Sequence, residues 1–321
     1  MTKPDISVVV CSYNRADSLV EAIESLINLD TQDFTYEILV IDNASTDHTK
    51  DAVQQVAEKS VCPIRYVMES QAGVSFARNR GVLESESTWI AFFDDDELAE
   101  PDWLLQLHAA ANRNQVKCVG GGVRLKFSGG NERVLRPWVR VMFGCTNELT
   151  DEKYDGKRVP GAGNMLVHKD VFEKIGLFRT DLVEGGEDTD LFHRMKSAGF
   201  EAYHAPLAVI HHQIPSSRLE PKYLRSTSMR MGSHIARRKF ENGGRLKFSL
   251  VTLARLSQTA LWHLPKLLLA KLSGDKESLL ERNCYWWMWQ GYFQAAFRFL
   301  FHSKESVSSL VFRGERETAL E

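Results

Sequence analysis

Trp89-Ile90-Ala91-Phe92-Phe93-Asp94-Asp95-Asp96-Glu97 runs from strand-type apolar residues straight into four consecutive carboxylates. Adjacent like charges repel, so folding alone gives no reason for them. They become favourable where a divalent cation or a set of basic groups sits among them. The carboxyl end of a buried parallel strand is also where open α/β sheets bind ligands. In isolation the same run can equally be a solvated acidic turn ahead of the next helix, so its neighbours must decide.

Working outward, strand and helix signals alternate up to about residue 125. Ile6–Cys11 is β-branched with no polar face, as in a central parallel strand covered on both sides. Ala16–Leu29 carries Leu19, Ile23, Leu26 and Ile27 at helical spacing. Glu37–Ile41, Ile64–Met68, Trp89–Phe93 and Lys117–Leu125 read as further strands, and Asp47–Lys59, Val74–Glu84 and Pro101–Asn112 as helices. Pro101 suits a first helical turn. This series predicts a doubly wound, mostly parallel, Rossmann-like α/β sheet. Residues 126–160 read as a long irregular loop, of the kind that usually carries function. Val171–Ile175 and Thr189–Ala198 read as helices on either side of a second acidic cluster.

The chain of 321 residues is long enough for a full core, and its composition is that of a globular protein. Its net charge of -2 conceals a division. Residues 1–215 carry 22 Lys and Arg against 33 Asp and Glu, whereas residues 216–321 carry 18 against 9. We therefore expect a catalytic body over 1–215 and a basic helical extension over 216–321. The cysteines (Cys11, Cys62, Cys118, Cys145, Cys284) are scattered without a CxxC pair, which fits a reducing compartment and offers no zinc site. Met1–Asp5 leads directly into a strand, so no signal peptide is expected. No apolar stretch approaches the ~18 residues of a membrane span. A cytoplasmic protein is the expectation.

Other strand ends carry polar groups too. Ser12-Tyr13-Asn14-Arg15 supplies an aromatic face and a cation after the first strand, and Asp42 ends the second, followed by Ser45 and Thr46 as helix-capping candidates. Asp42 can accept hydrogen bonds from a base or ribose, or can belong to a plain capping turn. Gly185-Gly186-Glu187-Asp188 places carboxylates at a helix start, where capping is again the alternative. No GxGxxG follows the first strand and no GxxxxGK[ST] occurs, which argues against dinucleotide oxidoreductases and P-loop NTPases. A nucleoside diphosphate would then be held by metal and basic side chains, and Mg²⁺ or Mn²⁺ on one or two carboxylates plus substrate phosphates is the usual arrangement.

Together these segments resemble the family 2 glycosyltransferases, inverting enzymes of the GT-A fold. The resemblance runs from about Ile6 to His212 through SVVVCSYNR at 7–15, EILVIDNASTDHT at 37–49 and AGVSFARNRGV at 72–82, then WIAFFDDDELAEPDWL at 89–104, GAGNMLVHKDVFEKIGLF at 161–178 and GEDTDLFHRMKSAGF at 186–200. It implies that Tyr13 lies against the nucleobase with Arg15 near it, that Asp42 hydrogen-bonds the base, usually uracil, and that Arg78 helps hold the nucleotide. Asp94-Asp95-Asp96 matches the DxD motif, with Asp94 and Asp95 toward ribose or sugar and Asp96 on Mn²⁺ or Mg²⁺. Asp188 looks like the general base. His211 matches a histidine that completes the metal site, with His212 as the fallback. Glu97 either assists the metal or sits in solvent, and solvent is the expectation. The implied reaction moves one sugar from a nucleotide-diphosphate sugar, UDP-linked by family habit, to a saccharide or lipid-linked acceptor in cell-surface polysaccharide synthesis. The QxxRW motif of processive synthases is absent. Rival readings are a metal-dependent nucleotidyltransferase releasing pyrophosphate, and a catalytically silent sugar-nucleotide binder.

The basic extension adds Leu261–Leu269 and Tyr285–Trp289 as Leu and Trp clusters, the composition of a peripheral segment on an anionic inner leaflet. The competing reading packs these aromatics inside a helical subdomain or a dimer interface. No nucleic-acid motif occurs, so no nucleic-acid partner is expected.

Overall fold

A computed structural model describes residues 3–128, 135–146, 150–182 and 185–301. The chain divides into two compact units. The first takes in Met1–Phe127, Gly144–Leu182 and Gly186–Ile214, and the second begins at Pro215 and also includes a short helix, Pro137–Met142 (α5).

The first unit is built on a nine-stranded sheet of order β3-β2-β1-β4-β8-β6-β9-β5, with β7 paired to β9. Its parallel half comprises β1 (Ile6–Ser12), β2 (Tyr36–Asp42), β3 (Ile64–Met68) and β4 (Trp89–Asp94). The helices between them are α1 (Ala16–Ile27), α2 (Thr49–Ala57) and α3 (Val74–Glu84). Because strand side chains alternate, Val8 and Val10 join one core with Leu19, Ile23 and Trp103, while Val9 joins the opposite core with Leu39, Phe92 and Phe172. That double coverage is why β1 and β2 read as uninterrupted apolar runs. Each fully buried Val, Leu, Ile or Phe contributes about 1.5–3 kcal/mol.

The far half of the sheet departs from the expected alternation. After β5 (Glu97–Ala99) and α4 (Trp103–Asn114), β6 (Cys118–Phe127) and β9 (Tyr203–Ile214) run parallel to each other. Between β4 and β6 lies β8 (Asn164–His168), antiparallel to both. It is followed by α6 (Lys169–Ile175). β5 and β7 (Glu152–Lys153) pair antiparallel with β9. Thus the stretch expected to be loop over 126–160 contains α5 and β7, while 129–134 and 147–149 lie outside the described residues. The next helix, α7, spans Glu187–Ser197, so the acidic pair Glu187-Asp188 sits inside its first turn rather than ahead of it.

In the second unit, α8 (Pro221–Gln258) breaks at Gly244, whose φ of 66° only glycine adopts freely. A π-helical turn (Thr259–His263) leads into α9 (Leu264–Ser273), and α10 (Lys276–Phe301) closes the unit. α8 and α10 approach closely at paired glycines. A Cβ on Gly291 would lie 2.1 Å from the Met229 carbonyl oxygen, and one on Gly232 would lie 1.9 Å from that of Met288. Ala236, Phe248, Met288, Trp289 and Tyr292 form the core. Trp289 is buried and Tyr285 stacks on Trp138 at 4.3 Å, so this aromatic cluster packs internally, whereas Leu261, Trp262 and Leu269 stay exposed.

Candidate active site

The parallel register aligns Ser12 with Asp42 and Cys11 with Asp94, which brings the polar ends of β1, β2 and β4 to one edge of the sheet. Asp42 is buried there. One carboxylate oxygen accepts the Ser45 N–H at 2.9 Å and the other the Tyr66 hydroxyl at 2.6 Å. A carboxylate has roughly four lone-pair positions, so acceptor capacity remains for a ligand. Tyr66 is a site residue that the sequence did not reveal. Its phenol is pushed up by burial and then by Asp42, which keeps it a donor. Ser45 and Thr46 do not cap α2. They bind the Asn14 turn instead, and Asp47 accepts the Thr49 N–H at 3.0 Å. Tyr13 is 56% exposed at that turn, a ring open to solvent.

Arg15, expected near the base, reaches across the acidic cluster, donating to Asp95 at 2.9 Å and to Asp96 at 3.1 Å. Asp95 is buried and also accepts the Ser12 hydroxyl at 2.7 Å. Burial raises its carboxyl, against the pull of Arg15. Arg78 is likewise a strut inside the site. It donates to Asp94 at 3.1 Å and to Glu187 at 2.5 Å, tying the end of β4 to the start of α7. Burial opposes its charge, but Asp94 and Glu187 outweigh it and hold it protonated. Glu187 was not singled out from sequence; its neighbour in the pair drew the attention. Its second carboxylate oxygen is buried with no hydrogen-bond partner among the described residues.

Glu97 corrects an expectation. It is buried, not solvated, and accepts the Asp94 N–H at 3.2 Å. Burial, then Asp94 and Asp96, push its carboxyl well above the usual range. Gly163 makes room for this stack, because a Cβ there would lie 2.7 Å from oxygens of both Asp94 and Glu97.

The histidine assignment is also revised. β5 and β9 pair Glu97 with His212 and Leu98 with His211, and alternation sends the two imidazoles to opposite faces. His211 bonds Glu100 at 2.6 Å, whereas His212 Nε2 lies 3.7 Å from Asp96 Oδ1. Among the described residues no three His, Cys, Asp or Glu side chains converge as a complete metal cage. Two ligands about 2.1 Å from one ion would stand roughly 3–4 Å apart, so Asp96 and His212 are the pair here that could share a divalent cation. Asp188 follows Glu187 in the first turn of α7 and accepts the Thr189 N–H at 2.5 Å. Burial, and then Glu187, push its carboxyl up to about 6, with Arg78 pulling the other way. This is the range for a base that takes a proton near neutral pH.

One edge of the sheet thus gathers an acidic strand end, a buried aspartate with acceptor capacity to spare and a raised carboxylate at a helix start. The family model for glycosyl transferase family 2 matches residues 7–176, and the chain belongs to that family. The relative AglE, a glycosyltransferase of Haloferax volcanii, is 28% identical over 199 residues, covering 62% of this chain and 64% of AglE. The succinoglycan biosynthesis protein ExoM of Rhizobium meliloti is 28% identical over 243 residues, covering 71% of this chain and 72% of ExoM. The chain therefore spans slightly under two thirds of AglE and somewhat more of ExoM. Among solved structures, the mannosyltransferase PcManGT of Pyrobaculum calidifontis, in complex with GDP-Man and Mn²⁺, superposes with a TM-score of 0.62. It is 18% identical, covering 94% of this chain and 88% of that one, a likeness of GT-A fold.

Proposed function

We propose that the protein is an inverting, non-processive glycosyltransferase that moves one sugar from a nucleoside-diphosphate sugar to a saccharide or lipid-linked saccharide acceptor. The observation that carries this reading is the Asp94–Arg78–Glu187 bridge, which fixes the carboxylate end of β4 beside the raised carboxyl of Asp188. Relatives named for succinoglycan biosynthesis support a place in polysaccharide assembly.

In this reading Tyr13 offers its exposed ring to the base, and Asp42 accepts the ring N–H that uracil, thymine and guanine possess. Of these we propose uracil, although the solved mannosyltransferase of the same fold binds a guanine nucleotide. Asp96 and His212 would hold Mn²⁺ or Mg²⁺, which offsets charge on the diphosphate when bound. Arg15 holds Asp95 and Asp96 in place at the strand end. Asp188 accepts the proton of the acceptor hydroxyl. The oxygen attacks the anomeric carbon from the face opposite the diphosphate. The bond from that carbon to the diphosphate oxygen breaks with its electron pair on the leaving group, which inverts the anomeric centre.

The test is a titration of UDP, TDP and GDP with Mn²⁺ or Mg²⁺ and then with chelator, followed by turnover with the matching donor. Release of nucleoside diphosphate that stops on chelation supports the reading. Pyrophosphate release would favour the nucleotidyltransferase, and binding of no nucleotide would sink the catalytic assignment.

A further inference from the structure

The second unit carries an apolar surface that its own core does not use. From Asn242 to Gly274 the sequence contains no Asp or Glu, yet it holds Arg245, Lys247, Arg255, Lys266 and Lys271. The part of α8 beyond Gly244 turns Phe248 and Thr252 inward, where Thr252 meets the Tyr292 hydroxyl of α10 at 3.3 Å. α9 turns Leu267 and Ala270 inward. The outward faces of both helices are rich in leucine. Leu250 and Leu253 are each 63% exposed, and around the π turn and α9 Leu261 is 79%, Leu268 52% and Leu272 84% exposed. At helical spacing these form stripes rather than scattered positions. Exposed apolar stripes of this kind mark a docking surface.

The charge pattern selects the occupant. A second copy of the chain would set the basic side chains of this segment against one another with no carboxylate of the segment to answer them, so self-association on this face is disfavoured. An anionic surface meets both requirements, taking leucines into its apolar layer while long basic side chains reach phosphate. Trp262, exposed and covered by the Lys266 ammonium at 3.8 Å, couples a ring that favours the headgroup layer to a cation. Among the described residues no helix is long and apolar enough to cross a membrane. Helices with an apolar stripe and basic flanks bind bilayers by lying in the interface plane.

We propose that the carboxylate-free face formed by the end of α8, the π turn and α9 is a docking surface for an anionic phospholipid bilayer. The proposal stands independently of the sugar-transfer reading, since its readout is vesicle binding rather than catalysis.

The full chain is sedimented with phosphatidylcholine vesicles and with phosphatidylcholine–phosphatidylglycerol vesicles, at low and high salt. Binding is expected to the anionic vesicles and to fall with salt. The double variants K266E/K271E and L268S/L272S are each expected to weaken it by about tenfold or more. Circular dichroism melts matched to wild type establish that both variants remain folded. No sedimentation of wild type with anionic vesicles overturns the proposal, as does unchanged binding by folded K266E/K271E. A dimer in sedimentation velocity that L268S/L272S converts to monomer would assign the face to self-association instead.

Discussion

Replacing Asp188 by Asn should abolish most transfer and at the same time stabilise the fold. Burial and Glu187 raise the Asp188 carboxyl from 3.8 to about 6. A carboxyl that binds its proton more tightly folded than unfolded contributes stability below its unfolded value. That contribution is lost as pH rises through the folded value. The accumulated penalty above about pH 6 is of order 3 kcal/mol at ~1.4 kcal/mol per pH unit, and about 1–3 kcal/mol after allowing for partial exposure. Asn carries no charge to desolvate and keeps an oxygen to accept the Thr189 N–H. The variant should therefore melt several degrees higher near pH 8, at roughly 2–4 °C per kcal/mol, with the gap closing toward about pH 4. Its turnover should fall by about 10²–10⁴, the usual worth of a general base. Paired thermal melts across pH, with donor binding measured on the same samples, provide the assay. Equal melting temperatures at both pH values, or turnover at the wild-type rate, would refute the reasoning.

Arg78→Met leaves Glu187 and Asp94 without their cation and should cost about 3–5 kcal/mol in denaturant titrations; a loss under ~1 kcal/mol would mean the strut is dispensable. Gly163→Ala places a methyl 2.7 Å from Asp94 and Glu97 oxygens, so turnover should collapse while the far-ultraviolet circular dichroism stays unchanged. Gly291→Ala meets the Met229 backbone, which cannot rotate away, and should destabilise the helical unit by about 1–3 kcal/mol in the same titrations. Asp42→Ala should raise the donor KM with a smaller change in kcat, because it removes a contact present before and during transfer.

The parallel half of the sheet was legible because its strands are covered on both faces and so are written as unbroken apolar runs. The Asp94–Asp96 cluster and Asp188 stood out because carboxylates at strand and helix ends are chemically conspicuous, whereas the part of Glu187 emerged only from its bond to Arg78. β8 was not, since Asn164–His168 acquires its strand character from pairing with β4 and β6, a non-local match that local pattern does not record. Nor was the short β5, whose three residues are held by β9.

The sequence by itself thus determined which residue types gather at the site, through local periodicity and the position of polar groups after apolar runs. Tertiary structure alone decided their contacts. Burial beneath Gly163 turned Glu97 from a solvated side chain into part of the stack, and reach across the sheet edge gave Arg15 the acidic cluster as its partner. Register made the finest distinction. Adjacent histidines differ by one step of a pleat, and a single-residue slip would exchange their faces. The pairing of Glu97 with His212 is what brings that imidazole to Asp96 and sends His211 to Glu100.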